Sequence, residues 1–355
     1  MCESENRNVP IKRKAYDIIL KGYNRGEVTK DECTYLLEMN ENSIEASFAR
    51  IMANSLVRES TQSTANMTAQ LGVQIAPCEA NCSFCNFNSE VTNVKSTSMS
   101  DEEIESRVRS YTEYNDVWRI FLMTMHRYDI DRLKETIKLC KKVAPKGVQI
   151  GLNIGDADID SCLELRKAGA EVAYHVCRLR EGEYTKLKPE DRIATMRNFK
   201  EAGFELATCI EPIGPETTVK EMIERFFLAK ELECEPIGVM KRVAVPGTPM
   251  SSSGMISDSR LTQLAAVFAL ASSYYRKEPA INIHEPCQLG FFSGSRHLTA
   301  EYGANPRDAG LGERRGRTTA QCRKIFYDAG FEHIMCGDGK REKLNIDYLA
   351  KTGSV

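Results

Sequence analysis

Several features are missing from this sequence of 355 residues. No apolar run reaches the length of about 18 residues that a membrane-spanning helix needs, so a helical membrane span is excluded. The N-terminal segment MCESENRNVPIKRK is polar and lacks the apolar core of a secretory leader. Neither sign of charge dominates: 48 Lys and Arg stand against 50 Asp and Glu, a net charge of −2, so the chain has no electrostatic footprint for nucleic acid. There is no repeat at a fixed period, no low-complexity tract and no linker. These absences point to a soluble cytoplasmic protein with neither a membrane nor a nucleic acid as partner. What is present is an ordinary globular balance, 28% charged and 42% hydrophobic. The length suits two domains of about 100–200 residues, or one barrel of about 250 with extensions.

Cysteine is abundant, with 13 in the chain. The number is odd, no export signal accompanies it, and a chain of this length needs no cross-links to be stable. Thiolate chemistry with a metal is therefore favoured over a disulfide framework. Cys140, Cys162 and Cys234 lie in apolar contexts, where a thiol serves as a small hydrophobe.

Residues 10–68 read as helical, with apolar positions three and four apart and a turn at Gly26. From Leu71 the period changes. Short apolar runs follow in LGVQIAP, VWRIFLMTM, GVQIGLNIG, EVAYHV, FELATCIEP, PIGVMKRVAVPG and AINIHEP, and less clearly in SRHLTAEYG. Between them lie helical patterns such as DIDRLKETIKLCKKVA, DIDSCLELRKAGA, PEDRIATMRNFKEAG and TVKEMIERFFLAKELE, each stopping near a glycine or proline. Strands and helices alternating at this spacing require parallel strands with crossover helices. The expected fold is α/β, a (β/α)8 TIM-type barrel, complete or partial, over residues 69–302; an open doubly wound sheet is the other topology. A helical extension at 1–68 precedes it. A segment at 303–355 follows as a C-terminal cap.

Directly after the first strand comes Cys78-Glu-Ala-Asn-Cys82-Ser-Phe-Cys85. Three cysteines at C-x3-C-x2-C spacing in one short loop suit one corner of a [4Fe–4S] cluster and leave one iron open for a substrate or cofactor. A structural zinc site is closed and needs a fourth ligand. Neither cysteine nor histidine follows until His126.

This loop resembles the signature of the radical S-adenosylmethionine (SAM) enzymes, with Phe84 in the aromatic position. The resemblance implies that SAM chelates the open iron through its amino and carboxylate groups. One electron then splits it to methionine and a 5′-deoxyadenosyl radical, which removes hydrogen from a C–H bond. It also implies a reducing electron donor such as flavodoxin or ferredoxin, and an anaerobic or well-reducing host.

The resemblance extends to the biotin synthase-like branch through LNIGDADIDSCLELRKAGAEVAYH, RIATMRNFKEAGFELATCIEPIGPET, VAVPGTPM and SGSRHLTAEYGANPRD. By position, Arg192 matches the arginine that pairs with the SAM carboxylate. Glu181 falls near the acidic residue placed on the ribose. Gly214 and Glu216 match the adenine-contacting turn, whereas Glu211 and Pro212 depart from it. Met123 and Met125, at strand spacing, either flank SAM or fill the barrel core.

Biotin synthase holds a second cluster in its barrel, and the four matching positions here are Leu122, Gly151, Ala207 and Asn282, none of them a ligand of that site. Biotin synthesis by that route is therefore not expected. Cys209 lies two residues past Ala207 and shares its face. Cys287, Cys322 and Cys336 are candidates for an auxiliary cluster, or are scattered thiols.

Inward-facing polar residues suggest a small, polar, anionic substrate. The candidates are Asn153, Tyr174, His175, Arg178, Glu211, Lys241, Arg242, Asn282, His284 and Arg296, about half of which strand alternation turns inward. His175 and His284 are either catalysts or satisfied core histidines. The run GLGERRGR reads as a basic lid or as a solvated loop.

Three functions are consistent with these residues. The first is a radical SAM enzyme of C–C cleavage or rearrangement type, resembling hydrogenase-cofactor maturases, in cofactor or vitamin biosynthesis. The second is a sulfur-inserting enzyme of lipoyl or biotin synthase type with an auxiliary cluster. The third is an iron–sulfur electron carrier without catalysis.

Overall fold

A computed structural model describes residues 11–283, 287–303 and 317–355. Three helices open the chain: α1 (Arg13–Tyr23), α2 (Lys30–Leu37) and α3 (Ile44–Thr61). Eight parallel strands follow: β1 (Thr64–Gly72), β2 (Val117–Met123), β3 (Gln149–Asn153), β4 (Val172–Tyr174), β5 (Glu205–Ile213), β6 (Ile237–Lys241), β7 (Ile281–Ile283) and β8 (Ser295–Tyr302). Each pairs with the next, and β8 returns to pair with β1, so the barrel closes. The closed topology is the one observed.

β1 starts earlier than the sequence suggests, at Thr64, inside the segment that reads as helical. The reason is that Thr68 and Gln70 line the barrel lumen while Ala65, Met67, Ala69 and Leu71 pack outward against the helices. Polar residues on the inner face leave the strand without an apolar run. The same alternation turns Leu122 outward into the helix layer, so the lumen positions of β2 are Phe121 and Met123.

The outer layer is made of α4 (Asp101–Thr112), α5 (Ile130–Val143), α6 (Ile159–Ala168), α7 (Pro189–Glu201), α8 (Val219–Glu231), α9 (Asp258–Ser272) and α10 (Thr319–Asp328). Reciprocal capping boxes fix the starts of four helices: Thr29 with Glu32, Ser100 with Glu103, Thr218 with Glu221, and Thr318 with Gln321. α9 is buried on every side from Leu261 to Ser272, because α1–α3 cover its outer face while β6 and β7 take its inner face. Such a helix has no amphipathic stripe. Phe268 stacks on Phe226 with ring centroids 4.3 Å apart, and truncating it to Ala would cost about 3–5 kcal/mol.

After α10, β9 (His333–Met335) joins the barrel beside Thr64 and Ala65 of β1, and β10 (Arg341–Lys343) pairs antiparallel to it. The last helix is α11 (Ile346–Lys351). Arg323 donates to both carboxylate oxygens of Asp116, at 2.5 and 3.0 Å, and the Tyr348 hydroxyl donates to Asp116 Oδ2 at 2.9 Å. The C-terminal segment is thereby pinned to the N-terminal ends of the strands, the end away from the cysteine loop.

Candidate active site

Beyond β1, Gln74–Ile75 pairs antiparallel with Thr97–Ser98 and frames the loop that carries the three cysteines. The loop is held from within by Cys78 N–H donating to Phe87 O (2.6 Å), Cys85 N–H to Cys82 O (3.1 Å) and Asn88 Nδ2 to Cys82 O (3.3 Å). It is also gripped from other strand ends. Ser83 N–H donates to Tyr184 O (2.9 Å), Lys186 N–H to Ala80 O (2.8 Å) and Met250 N–H to Ser83 O (2.9 Å). The segments after β4 and β6 thus fix the loop over the C-terminal ends of the strands, where barrels of this type carry their chemistry.

Cys78, Cys82, Phe84 and Cys85 line one cavity together with Met123 and Met125, which pack against Cys78 and Cys85. Burial pushes the Cys82 thiol up to about 11 and the Cys85 thiol up to about 12, so as free thiols both stay protonated at neutral pH. A bound metal lowers such values by replacing the proton. Among the described residues no three His, Cys, Asp or Glu side chains converge on a single point. Three thiolates facing one cavity fit a cluster that offers each of them a different iron. The described cysteines are all free, and Cys140, Cys162 and Cys234 are buried as small hydrophobes with their thiols pushed up to about 12 by burial.

Arg192, in the first turn of α7, lines the same cavity and is buried. Its Nε donates to Val176 O at 3.0 Å and its Nη1 to Asp156 Oδ1 at 2.8 Å. The same Asp156 oxygen accepts from Thr195 Oγ1 and faces His175 Nε2, each at 3.2 Å. Burial together with the charge of Arg192 holds the His175 ring down to about 3, so it is neutral at pH 7. Burial pushes the Asp156 carboxyl up, but the His175 hydrogen bond and the Arg192 charge outweigh it and the group lies below the ordinary carboxylate range. Asp156 was not a sequence candidate. Its position just past β3, on a loop at the catalytic end, is the signal that would have found it. Beside it, a Cβ on Gly155 would meet His126 O at 1.8 Å, so only glycine allows these two strand exits to touch.

Glu181 departs from its expected place. Its side chain is fully buried, accepts from Arg178 N–H (2.8 Å) and Thr185 Oγ1 (2.7 Å), and lies 3.9 Å from Arg192 Nε. It braces the loop behind Arg192 and does not line the cavity. Glu216 and Arg242 are paired with each other and do not line this cavity. Arg242 forms a two-pronged pair with Glu216 and donates to Ser253 O and Gly254 O, at 2.8 and 3.0 Å. Gly214 is required there, since a Cβ would lie 2.4 Å from Arg242 Nη1.

Of the remaining candidates, Asn153, Tyr174, Arg178 and Glu211 line the cavity. Tyr174 Oη donates to Glu211 Oε2 (3.0 Å), Arg178 Nε lies 3.3 Å from Glu211 Oε1, and Asn153 Nδ2 donates to Gln70 Oε1 (2.9 Å). Cys209 and Asn282 face the lumen lower down. Lys241 is paired with Asp258 at 2.5 Å. Arg296 is paired with Glu278, 3.4 Å away, just before β7, which places it at the opposite end of the strands from the cavity. His284 and residues 310–316 of the basic run lie outside the described residues.

Cys287, Cys322 and Cys336 do not come together. Cys287 sits near Asp258 and Lys241, Cys322 near Arg317 and Glu301, and Cys336 near Asp338 and Asp116. The last is at the capped end of the barrel, with the backbone of Gly337 donating to Asn115 O.

Comparison with known proteins agrees with this arrangement. The radical SAM superfamily pattern matches residues 76–229, which include the cysteine loop and Arg192. A biotin synthase of Aquifex aeolicus (strain VF5) is 21% identical over 269 residues, 73% of this chain and 80% of that one. The [FeFe] hydrogenase maturase subunit HydE of Thermotoga maritima is 21% identical over 296 residues, 81% of each chain. Among solved structures, a methylornithine synthase (PylB) superposes with a TM-score of 0.75 at 16% identity, covering 88% of this chain and 96% of that one.

A closed parallel barrel with three cysteines on its first loop defines an enzyme of the radical SAM superfamily, and the chain belongs to it. Within that superfamily it is of the biotin synthase-like branch. Its cofactors are those of the family, a [4Fe–4S] cluster and S-adenosylmethionine. No helix among the described residues is long and apolar enough to cross a membrane.

Proposed function

We propose that this enzyme abstracts hydrogen from a small polar substrate in cofactor or vitamin biosynthesis and that the reaction is of C–C cleavage or rearrangement type. Cys78, Cys82 and Cys85 hold the cluster, and Arg192 receives the SAM carboxylate, a pairing suited to a guanidinium. When bound, the cluster supplies the electron that splits SAM to methionine and a 5′-deoxyadenosyl radical. Arg178, Tyr174 and Glu211 border the cavity beside it and orient the substrate. Phe84, Met123 and Met125 keep water from the reacting atoms. A flavodoxin or ferredoxin in the cytoplasm delivers the electron.

The observation that carries this reading is the shared cavity: the three cysteines of the first loop and the buried Arg192 of α7 line it together. Sulfur insertion is the weaker reading. The lumen positions that would hold a second cluster are closed or lack ligands, with Phe121 laid over Gly151 so that a Cβ there would meet its ring at 2.6 Å. Kinship with proteins named as hydrogenase maturases supports the first reading as well. Iron and sulfide analysis of anaerobically reconstituted protein decides between them. About four irons per chain is expected, whereas about eight would favour sulfur insertion. Reduced protein that converts no SAM to 5′-deoxyadenosine would contradict both and leave an electron carrier.

A further inference from the structure

Below the cysteine cavity the barrel encloses a second chamber of about 40 Å³. Asn66, His297, Asn282, Gly238 and Cys209 are successive partners across β1, β8, β7, β6 and β5, so they form one rung around that side of the lumen. Thr68 and Thr299 lie just above, their hydroxyls 2.9 Å apart. Gln70 and Tyr174 line both spaces and separate them. A water occupies about 10–15 Å³ by the same measure, so the chamber has room for an end group of two or three heavy atoms.

The rung is not satisfied by the protein. His297 is 3% exposed, and neither of its ring nitrogens has a hydrogen-bond partner. The side-chain oxygen of Asn282 is also without one. Leaving such groups bare costs about 1–3 kcal/mol each, a penalty that a ligand can relieve. The chamber's chemistry is neutral. Among the described residues no acidic side chain lines it, and its guanidinium, on Arg119, is already engaged by Gln149 and Glu205. Burial, with the positive charges of Arg296 and Arg119 adding to it, keeps His297 uncharged, so its ring offers one donor and one acceptor.

We propose that this chamber binds the distal end of the substrate, an uncharged polar group best matched by a carboxamide, with His297 and Asn282 as its hydrogen-bond partners. A carboxamide gives one N–H to the Asn282 oxygen and meets the imidazole nitrogen turned toward it with its oxygen, if that nitrogen carries the proton, or with its second N–H, if it does not. The inference rests on the radical SAM reading only in that the reacting carbon then lies above, past Gln70 and Tyr174.

The test is a titration of cluster-loaded, 15N-histidine-labelled protein with acetamide, followed by nuclear magnetic resonance, with sodium acetate and methylammonium chloride as companions. Acetamide should shift the His297 ring signals saturably, and Asn282→Leu should weaken the effect at least tenfold; the two ions should leave them unmoved. No saturable shift, or an equal shift with acetate, overturns the proposal. The His297 signals are those lost in His297→Asn. If that variant does not fold, soaked crystals of the unsubstituted protein decide the matter: acetamide within hydrogen-bonding reach of His297 supports it, and water alone overturns it. No SAM or reductant is added, so failure here is separate from failure to form 5′-deoxyadenosine.

Discussion

Arg192 Nη1 donates to Asp156 Oδ1 at 2.8 Å, and that one carboxylate oxygen also meets Thr195 and His175. Asp156 thus helps to set the direction of the guanidinium proposed to receive SAM, together with Val176 O and, 3.9 Å away, Glu181. Asp156→Asn leaves an oxygen to accept from Arg192 but removes the carboxylate's charge, a loss of about 1–2 kcal/mol. SAM binding to the cluster-loaded protein should weaken at least tenfold by calorimetry, and the melting temperature should fall. Unchanged affinity would show that Arg192 is oriented without Asp156.

His175 is neutral in the fold, its pKa held down to about 3 by burial and by Arg192. An unfolded chain takes up that proton near the ordinary value of about 6.5, so acid favours unfolding. The stability linked to this ring is whole above the unfolded value and is lost as pH falls below it, until the folded value is reached. Between pH 7 and pH 5 that amounts to at most about 2 kcal/mol. Denaturant melts at the two pH values should show a smaller acid loss in His175→Gln than in the unsubstituted protein, with His126 and His297, also lowered by burial, accounting for what persists.

The Arg242–Glu216 pair ties the turn after β5 to the segment after β6, and its guanidinium also holds the carbonyls of Ser253 and Gly254. Breaking a fully buried pair costs about 3–5 kcal/mol; here Glu216 is partly open to water, and about 2 kcal/mol is expected for Glu216→Gln. Limited proteolysis should then cut residues 245–254 faster. Because Met250 bonds to the cysteine loop, iron retention should fall as well.

The sequence carried the barrel because strand-to-helix alternation leaves few other topologies, and it carried the cysteine loop because three ligands are contiguous in the chain. What it did not carry has physical causes. β1 hides its first residues because Thr68 and Gln70 face a polar lumen, and α9 hides because it is buried on every side and shows no polar stripe. The bare ring of His297 was not legible because its meaning lies in partners brought from other strands, and Asp156 was legible only in its place just past β3, not in the groups it binds. The place of Arg296, and the choice between a cluster and scattered thiols for Cys287, Cys322 and Cys336, needed the fold for a related reason: residue type marks chemistry, but only the closed barrel says which end of a strand a residue occupies.

The proposed chemistry depends on the three loop cysteines holding a cluster with one iron left for SAM. Electron-nuclear double resonance on dithionite-reduced protein, mixed with SAM carrying 17O in its carboxylate, reads that contact directly. A hyperfine coupling to 17O is expected, and it should vanish with the cluster in Cys82→Ala. Protein that retains about four irons yet shows no coupling would contradict this assignment.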